Sequence, residues 1–293
     1  MELKGKTAIV TGAGGSIGQS LAIEFAKAGA KVVCCGRTES KLKKTLKLIE
    51  QKGGTGIAIP TDVTEWNQIH RMVDLTLEKI SQIDLLFNNA GSFKYVGPIW
   101  SADPEVWWHD VRVNLLGSMM CCRAVLPHMI ERNAGIIINM DGGGGSNGPN
   151  VGGSAYGCSK AAILRFSEGL AKELKIVGSS VLVFCMMPGF VRSNMTEYLI
   201  GTPGREKWQP HVRTLIGSEA ELPPDACAKA TMKLLSIASP ELNGRIFYVD
   251  MDYEKIERNK KRIQQENLYV MHLLTLDGKL GPWPLVDTKQ GIS

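Results

Sequence analysis

Short apolar runs alternate with amphipathic stretches along most of this chain. Residues 7–10, 31–35, 57–59, 84–87, 136–140, 181–186 and 245–249 are brief and apolar, a pattern that predicts seven largely buried strands. Between them apolar residues recur at helical spacing: Leu21, Ile23, Phe25 and Ala26 after the first run, residues 65–81 after the third, and a long segment over 105–133 after the fourth. Asp103 and Pro104 precede that long segment as an N-cap and a first-turn proline would. Strands alternating with helices predict an α/β fold whose parallel sheet is covered on both faces, and such sheets bind ligands at the carboxyl ends of their strands. The glycine and polar clusters of this sequence lie at those ends.

The first cluster, residues 11–18, joins the first strand to its helix. Gly12, Gly14, Gly15, Ser16, Ile17 and Gly18 would form a phosphate cradle, because glycines let the backbone approach a pyrophosphate that meets the unpaired N–H groups of the helix N-terminus. The strand at 31–35 completes a βαβ unit of about 30 residues. An acidic residue at its end would accept from the ribose hydroxyls and favour NAD. Gly36 and Arg37 stand there instead, and Arg37 is suited to a 2′-phosphate. The expectation is NADP(H) in preference to NAD(H). Farther on, Tyr156 and Lys160 are four residues apart on a helix that follows a glycine run at 142–145, and so share one face. An ammonium near a phenol lowers its pKa from about 10 towards the working range of a general acid–base. Asn114 lies among Val111, Val113, Leu115 and Leu116, reads as interior, and needs a partner.

Composition narrows the class. Of 293 residues, 44% are hydrophobic and 22% charged, the balance of a globular protein. The length fits one α/β domain over residues 1–251 and an extension over 252–293. Within the extension, 253–274 reads as one basic amphipathic helix, and Gly278, Gly281, Pro282 and Pro284 mark irregular chain. The net charge of +5 is scattered apart from the run at 255–262, which fits an anionic small ligand and carries no nucleic-acid signature. No apolar run approaches the roughly 18 residues of a membrane span, so a cytoplasmic protein with no membrane contact is expected. The seven cysteines contain no CxxC pair and the five histidines are dispersed, which predicts reduced thiols and no metal site.

The glycine turn, Asp62-Val63, Asn88-Asn89-Ala90-Gly91, Asn114, Tyr156-x-x-x-Lys160 and Pro188-Gly189, in that order, resemble the short-chain dehydrogenase/reductase family over about residues 3–250. The resemblance implies a Rossmann-like doubly wound sheet and hydride transfer between a nicotinamide and a ketone or secondary alcohol of a small or medium-sized molecule. In it Tyr156 would be the general acid or base, Lys160 would lower its pKa and hold the ribose, and Asn114 would hold a water linking Lys160 to solvent. Asp62 and Val63 would meet the adenine, Asn89, Ala90 and Gly91 would border the cofactor at the central sheet, and Pro188, Gly189, Val191 and Ser193 would surround the nicotinamide, with Ser193 at its carboxamide.

One departure bears on catalysis. The family's serine after the fifth strand is replaced by Asp141 or Gly142, counting from Asn139. Three holders of the substrate oxygen remain open: Asp141, Ser146, or Tyr156 with glycine-loop N–H groups alone. Substrate choice is expected to lie in residues 92–101, the glycine loop and 194–222, where Tyr95, Trp100, Tyr198 and Trp208 offer flat walls and His211 and Arg213 polar handles. The helices at 105–133 and from Tyr156 carry more apolar surface than one sheet face needs, which predicts a homodimer or homotetramer. A nucleotide-binding protein with little turnover, or a non-redox epimerase or dehydratase, is the competing reading.

Overall fold

The computed structural model describes residues 2–201 and 204–272. Strands β1 (Thr7–Thr11), β2 (Lys31–Gly36), β3 (Thr55–Pro60), β4 (Leu85–Asn88), β5 (Ile136–Met140), β6 (Leu182–Met187) and β7 (Ile246–Tyr248) form one parallel sheet, ordered β3-β2-β1-β4-β5-β6-β7. Successive side chains point to opposite faces of a strand, so an apolar run without alternation serves two cores. Val10, Val32, Phe87, Ile138 and Phe184 enter one core with α1 (Ser16–Lys27) and α2 (Glu39–Gln51). Their neighbours Ile9, Val33, Leu86, Ile137 and Val183 enter the other, with α3 (Trp66–Ile80). Strand order reverses between β1 and β4, and the ends of these two strands frame the crevice where ligands of such sheets bind.

The long segment expected over 105–133 runs from Pro104 to Glu131 in three pieces: α4 (Pro104–Val111), a π-helical turn (Arg112–Leu116) and α5 (Gly117–Glu131). Asp103 caps it, accepting from the backbone N–H of Glu105 at 2.9 Å and of Val106 at 3.4 Å. By length and composition this segment is able to cross a bilayer, contrary to the expectation that no run is long enough. Half of its most apolar window is buried in the protein, with α4 against α6 (Ser154–Ile176) and α5 against α3.

The tail also differs from expectation. In place of one helix over 253–274 there are two short ones after α7 (Asn194–Ile200) and α8 (Ala226–Ile237): α9 (Tyr253–Arg258) and α10 (Lys260–Gln265). The break falls at Asn259, whose amide donates back to the Lys255 carbonyl at 2.8 Å and competes with the helix. Tyr253, Ile256 and Ile263 join the same core as β1 and α1. The Tyr269 carbonyl accepts from Ile246 N–H at 3.0 Å, and the tail thereby covers the outer edge of β7. The rest of the expected tail helix and the irregular chain, residues 273–293, lie outside the described residues. All seven cysteines are free and six are buried.

Candidate active site

A cleft of about 340 Å³ opens above the crevice between β1 and β4. Its floor is the glycine turn. Gly12 has φ +66°, and a Cβ on Gly18 would stand 2.3 Å from the Gly12 carbonyl oxygen and 2.6 Å from Asn89 Nδ2. Asn89 Nδ2 donates to the Thr11 carbonyl at 2.9 Å, and the N–H groups of Asn89 and Ala90 both donate to Thr11 Oγ1 at 3.0 Å. Asn89 thus pins the end of β4 to β1, and the turn lies flat against it. At the N-cap of α1, Gly15 brings no side chain to occupy the first-turn N–H groups, which leaves them for an anion. Gly14, Ser16, Ile17 and Gly91 complete this end of the cleft, while Gly36, Arg37, Thr38 and Lys41 line the side next to β2.

Four expected cofactor residues do not border the cleft. Asp62 folds its carboxylate onto Thr64, accepting from N–H at 2.9 Å and Oγ1 at 2.8 Å, and Val63 packs under Gly117. Gly189 has φ +69° and lies against Leu222, where a Cβ would meet Cδ1 at 2.5 Å. Val191 pairs with that same Leu222 in a two-residue ladder.

Met140, Asp141, Tyr156, Lys160, Pro188 and Ser193 line the far end. As the spacing predicts, Tyr156 and Lys160 sit one turn apart on α6, with Lys160 Nζ 5.5 Å from the Tyr156 ring centroid. Lys160 is 3% exposed and donates to the Met140 carbonyl at 2.8 Å. Burial pulls its pKa down to about 8, and the Asp141 carboxylate opposes the fall. The Tyr156 ring stacks on Phe93, centroids 4.4 Å apart and planes inclined by 13°. Burial, then Asp141 and Asp110, holds the Tyr156 phenol above its ordinary pKa. The lowering expected from Lys160 is not seen: its ammonium is turned to the Met140 carbonyl, and the sequence shows the charge but not the desolvation.

The position beside the Tyr156 hydroxyl is Gly142, where a Cβ would lie 2.3 Å from Oη and 2.9 Å from Cζ. Asp141 turns the other way. Its Oδ2 accepts from Ser146 Oγ at 2.8 Å, and its buried Oδ1 has no hydrogen-bond partner and would meet a Cβ at residue 145 within 2.0 Å. Burial raises the Asp141 pKa. Ser146, held by Asp141, borders a second cavity of about 400 Å³, lined also by Leu164, Arg245 and Tyr269. The glycine run therefore has a steric reason: Gly142 leaves room for the tyrosine and Gly145 for the aspartate.

Residues 6–202 of this chain match the family model described as short chain dehydrogenase. The chain belongs to the short-chain dehydrogenase/reductase family. A short chain dehydrogenase of Pseudocercospora fijiensis is 33% identical to it over 289 residues, 93% of this chain and 90% of that one. The 3-oxoacyl-[acyl-carrier-protein] reductase of Thermotoga maritima is 30% identical over 250 residues, 85% of this chain and 98% of the other. Among solved structures, a gluconate 5-dehydrogenase from Beutenbergia cavernae described as NAD(P) dependent, with bound NADP at low occupancy, superposes with a TM-score of 0.73 at 26% identity, covering 87% of this chain and 98% of its own.

In this short-chain dehydrogenase/reductase Asn114 sits in the π-helical turn and is buried. Its Oδ1 accepts from Ser92 N–H at 2.7 Å, and its Nδ2 donates to the Ser92 carbonyl and to Ser159 Oγ, both at 2.9 Å. Ser159 Oγ donates in turn to the Tyr156 carbonyl at 2.7 Å. Both amide hydrogens are committed, so the side chain splints the loop after β4 to α6. One turn earlier, buried Asp110 accepts from Ser92 Oγ at 2.6 Å and from the N–H groups of Lys94 and Tyr95 at 2.9 Å. Sequence reasoning missed Asp110 and Phe93. The signal for Asp110 was present: it is four residues before Asn114, on the face already read as interior. Ser193 caps α7, accepting from Thr196 N–H at 3.3 Å, with its own hydroxyl bordering the cleft.

Proposed function

We propose that this chain is an NADP(H)-dependent oxidoreductase acting on a ketone or secondary alcohol of a small or medium-sized molecule, with Tyr156 as the proton carrier. The observation that carries this reading is the shared cleft: the glycine turn and free helix N-terminus lie at one end, and Tyr156 and Lys160 at the other. The uncapped N-terminus of α1 beside the glycine turn supports a dinucleotide here, since its first-turn N–H groups have no side-chain cap and the turn lines the cleft. When bound, the nicotinamide supplies or accepts the hydride.

In reduction, Tyr156 Oη gives its proton to the carbonyl oxygen as that oxygen gains negative charge, and in oxidation it takes the proton back. Burial keeps the phenol protonated but makes it a weaker acid, so the developing charge on the substrate oxygen must drive the transfer. Lys160 is fixed by the Met140 carbonyl and would bind the ribose hydroxyls with its remaining hydrogens. With Gly142 in the place of the usual serine, the substrate oxygen would rely on Tyr156 and glycine-loop N–H groups. Loss of one such donor costs about 10²–10³ in rate, so a slow enzyme is expected. The Gly142 position also favours the second reading, a nucleotide-binding protein with little turnover.

Gly36, together with the cations Arg37 and Lys41 beside it, supports NADP(H) over NAD(H). Exposed Val106, Trp108 and Ile130 on the 104–131 segment support a homodimer or homotetramer. The test is NADPH consumption against a panel of ketones by wild type and Tyr156→Phe. Turnover by the phenylalanine variant as fast as wild type would overturn the assignment.

A further inference from the structure

We propose that Asp110 is a positioning residue for the catalytic tyrosine: it grips the loop after β4 so that the Phe93 ring is pressed onto the Tyr156 ring and fixes its plane. This rests on the proton-carrier reading of Tyr156 and names the group that aims that proton.

Asp110 lies in the last turn of α4 and is fully buried. A carboxylate is costly to bury unless its oxygens are filled, and here one short segment fills both. Oδ1 accepts from Ser92 Oγ at 2.6 Å, both oxygens accept from the Lys94 N–H at 2.9 Å, and Oδ2 accepts from the Tyr95 N–H at 2.9 Å. One turn farther on, Asn114 holds the N–H and the carbonyl of Ser92, at 2.7 and 2.9 Å. The backbone is thus fastened to the 104–131 segment on both sides of Phe93.

Phe93 and Tyr156 then meet on a common support. The rings stack with centroids 4.4 Å apart and planes inclined by 13°. Phe93 Cζ stands 2.7 Å from where a Cβ on Gly153 would be, and Gly153 is the N-cap of α6, the helix that carries Tyr156. Leu199 and Val212 share the buried cluster of the Phe93 ring. Helix α6 fixes the Tyr156 backbone but leaves two side-chain torsions to set the phenol, and a ring packed on its face removes that freedom. The same contacts keep the proton in place. Burial is the main cause that holds the Tyr156 pKa up, followed by the carboxylates of Asp141, after β5, and Asp110. The Lys160 ammonium, 5.5 Å from the ring centroid, is turned to the Met140 carbonyl. Removing the Phe93 ring or the Asp110 charge therefore lowers the Tyr156 pKa.

The test compares wild type with Asp110→Asn, Phe93→Leu and the double variant, with Ser92→Ala as a milder release of the grip and Tyr156→Phe as the reference. Asparagine keeps the size of Asp110 but turns an amide NH₂ towards backbone donors, and leucine keeps apolar bulk against Gly153 without the stack. The measurements are kcat and KM for NADPH-dependent reduction of an accepted ketone, the NADPH Kd by calorimetry, and the titration of Tyr156 by NMR in protein labelled at tyrosine Cζ. Asp110→Asn and Phe93→Leu should each lower kcat about tenfold or more, leave the NADPH Kd within about twofold, and move the Tyr156 titration to lower pH. Ser92→Ala should do the same to a smaller extent. Because Asp110 acts through Phe93, kcat of the double variant should fall no further than that of the worse single variant. An unchanged kcat and titration in Phe93→Leu, losses confined to KM or to the NADPH Kd, or a double variant whose loss is the product of the single losses would overturn the positioning role. If Asp110→Asn does not fold, Ser92→Ala decides, and wild-type kcat and titration in that variant would overturn the role as well. Wild-type turnover that Tyr156→Phe leaves intact would overturn the proton-carrier reading instead, while the titration still shows whether Asp110 and Phe93 hold the phenol.

Discussion

Restoring the family's serine at Gly142 is expected to harm this protein. A Cβ at residue 142 would stand 2.3 Å from Tyr156 Oη, whereas ordinary contact begins near 3.4 Å. The hydroxyl must therefore retreat by about 1 Å, and misplacement of a catalytic group on that scale costs about 10²-fold in rate. The ring has little freedom to accommodate this, since it stacks on Phe93 and hangs from the rigid helix α6. Overpacking of this kind also destabilises by about 1–3 kcal/mol, or roughly 2–4 °C in Tm for each kcal/mol in a chain of this size. The assay is kcat for NADPH-dependent reduction of an accepted ketone, with a thermal melt beside it, for wild type, Gly142→Ala and Gly142→Ser. Alanine isolates the steric effect, because it carries the Cβ without the hydroxyl. Both variants should fall well below wild type, serine recovering at most part of the loss through its hydroxyl. A Gly142→Ser enzyme as fast as wild type or faster would show that the tyrosine moves freely and that the geometric reasoning fails.

Three further outcomes follow from the cleft. Gly18→Ala places a Cβ 2.3 Å from the Gly12 carbonyl and should abolish dinucleotide binding by calorimetry; an unchanged Kd would remove the phosphate cradle from the account. Arg37→Ala should weaken NADPH about tenfold and leave NADH unaffected, and equal affinities in variant and wild type would leave the NADP(H) preference without a basis. Burial places the Lys160 pKa at about 8, below its ordinary 10.5, so raising the pH through that region strips the ammonium and the rate should fall. Asp141→Asn removes the carboxylate that opposes this shift and should move the falling limb to lower pH; a limb that stays put or moves upward contradicts the assignment.

Much of the architecture could be read from the residues because the strands are buried on both faces. Ile9 and Val10, or Phe184 and Val183, serve opposite cores, and the resulting unbroken apolar runs marked all seven strands. The Tyr156 and Lys160 pair was legible for a similar reason, since helical spacing fixes their shared face. The glycine loop was not. Its course is set by what it must leave room for, the Tyr156 hydroxyl and Asp141 Oδ1, and neither constraint is visible in the spacing of Gly142, Gly145 and Ser146. The tail misled because its amphipathic period continues past Asn259, where a local side-chain bond to Lys255 ends the helix. The packing of Val63 on Gly117 and the pairing of Val191 with Leu222 are long-range contacts that the motif positions alone do not show.

The central claim is that a hydride passes from a dinucleotide in this cleft to a carbonyl carbon protonated on oxygen by Tyr156. The most direct measurement is product analysis after reduction of an accepted ketone with NADPH deuterated at the transferable C4 position. The account predicts deuterium on the carbinol carbon of a single alcohol enantiomer, formed by wild type and lost in Tyr156→Phe. Alcohol without deuterium, or the same deuterated alcohol formed as fast by Tyr156→Phe, would contradict it.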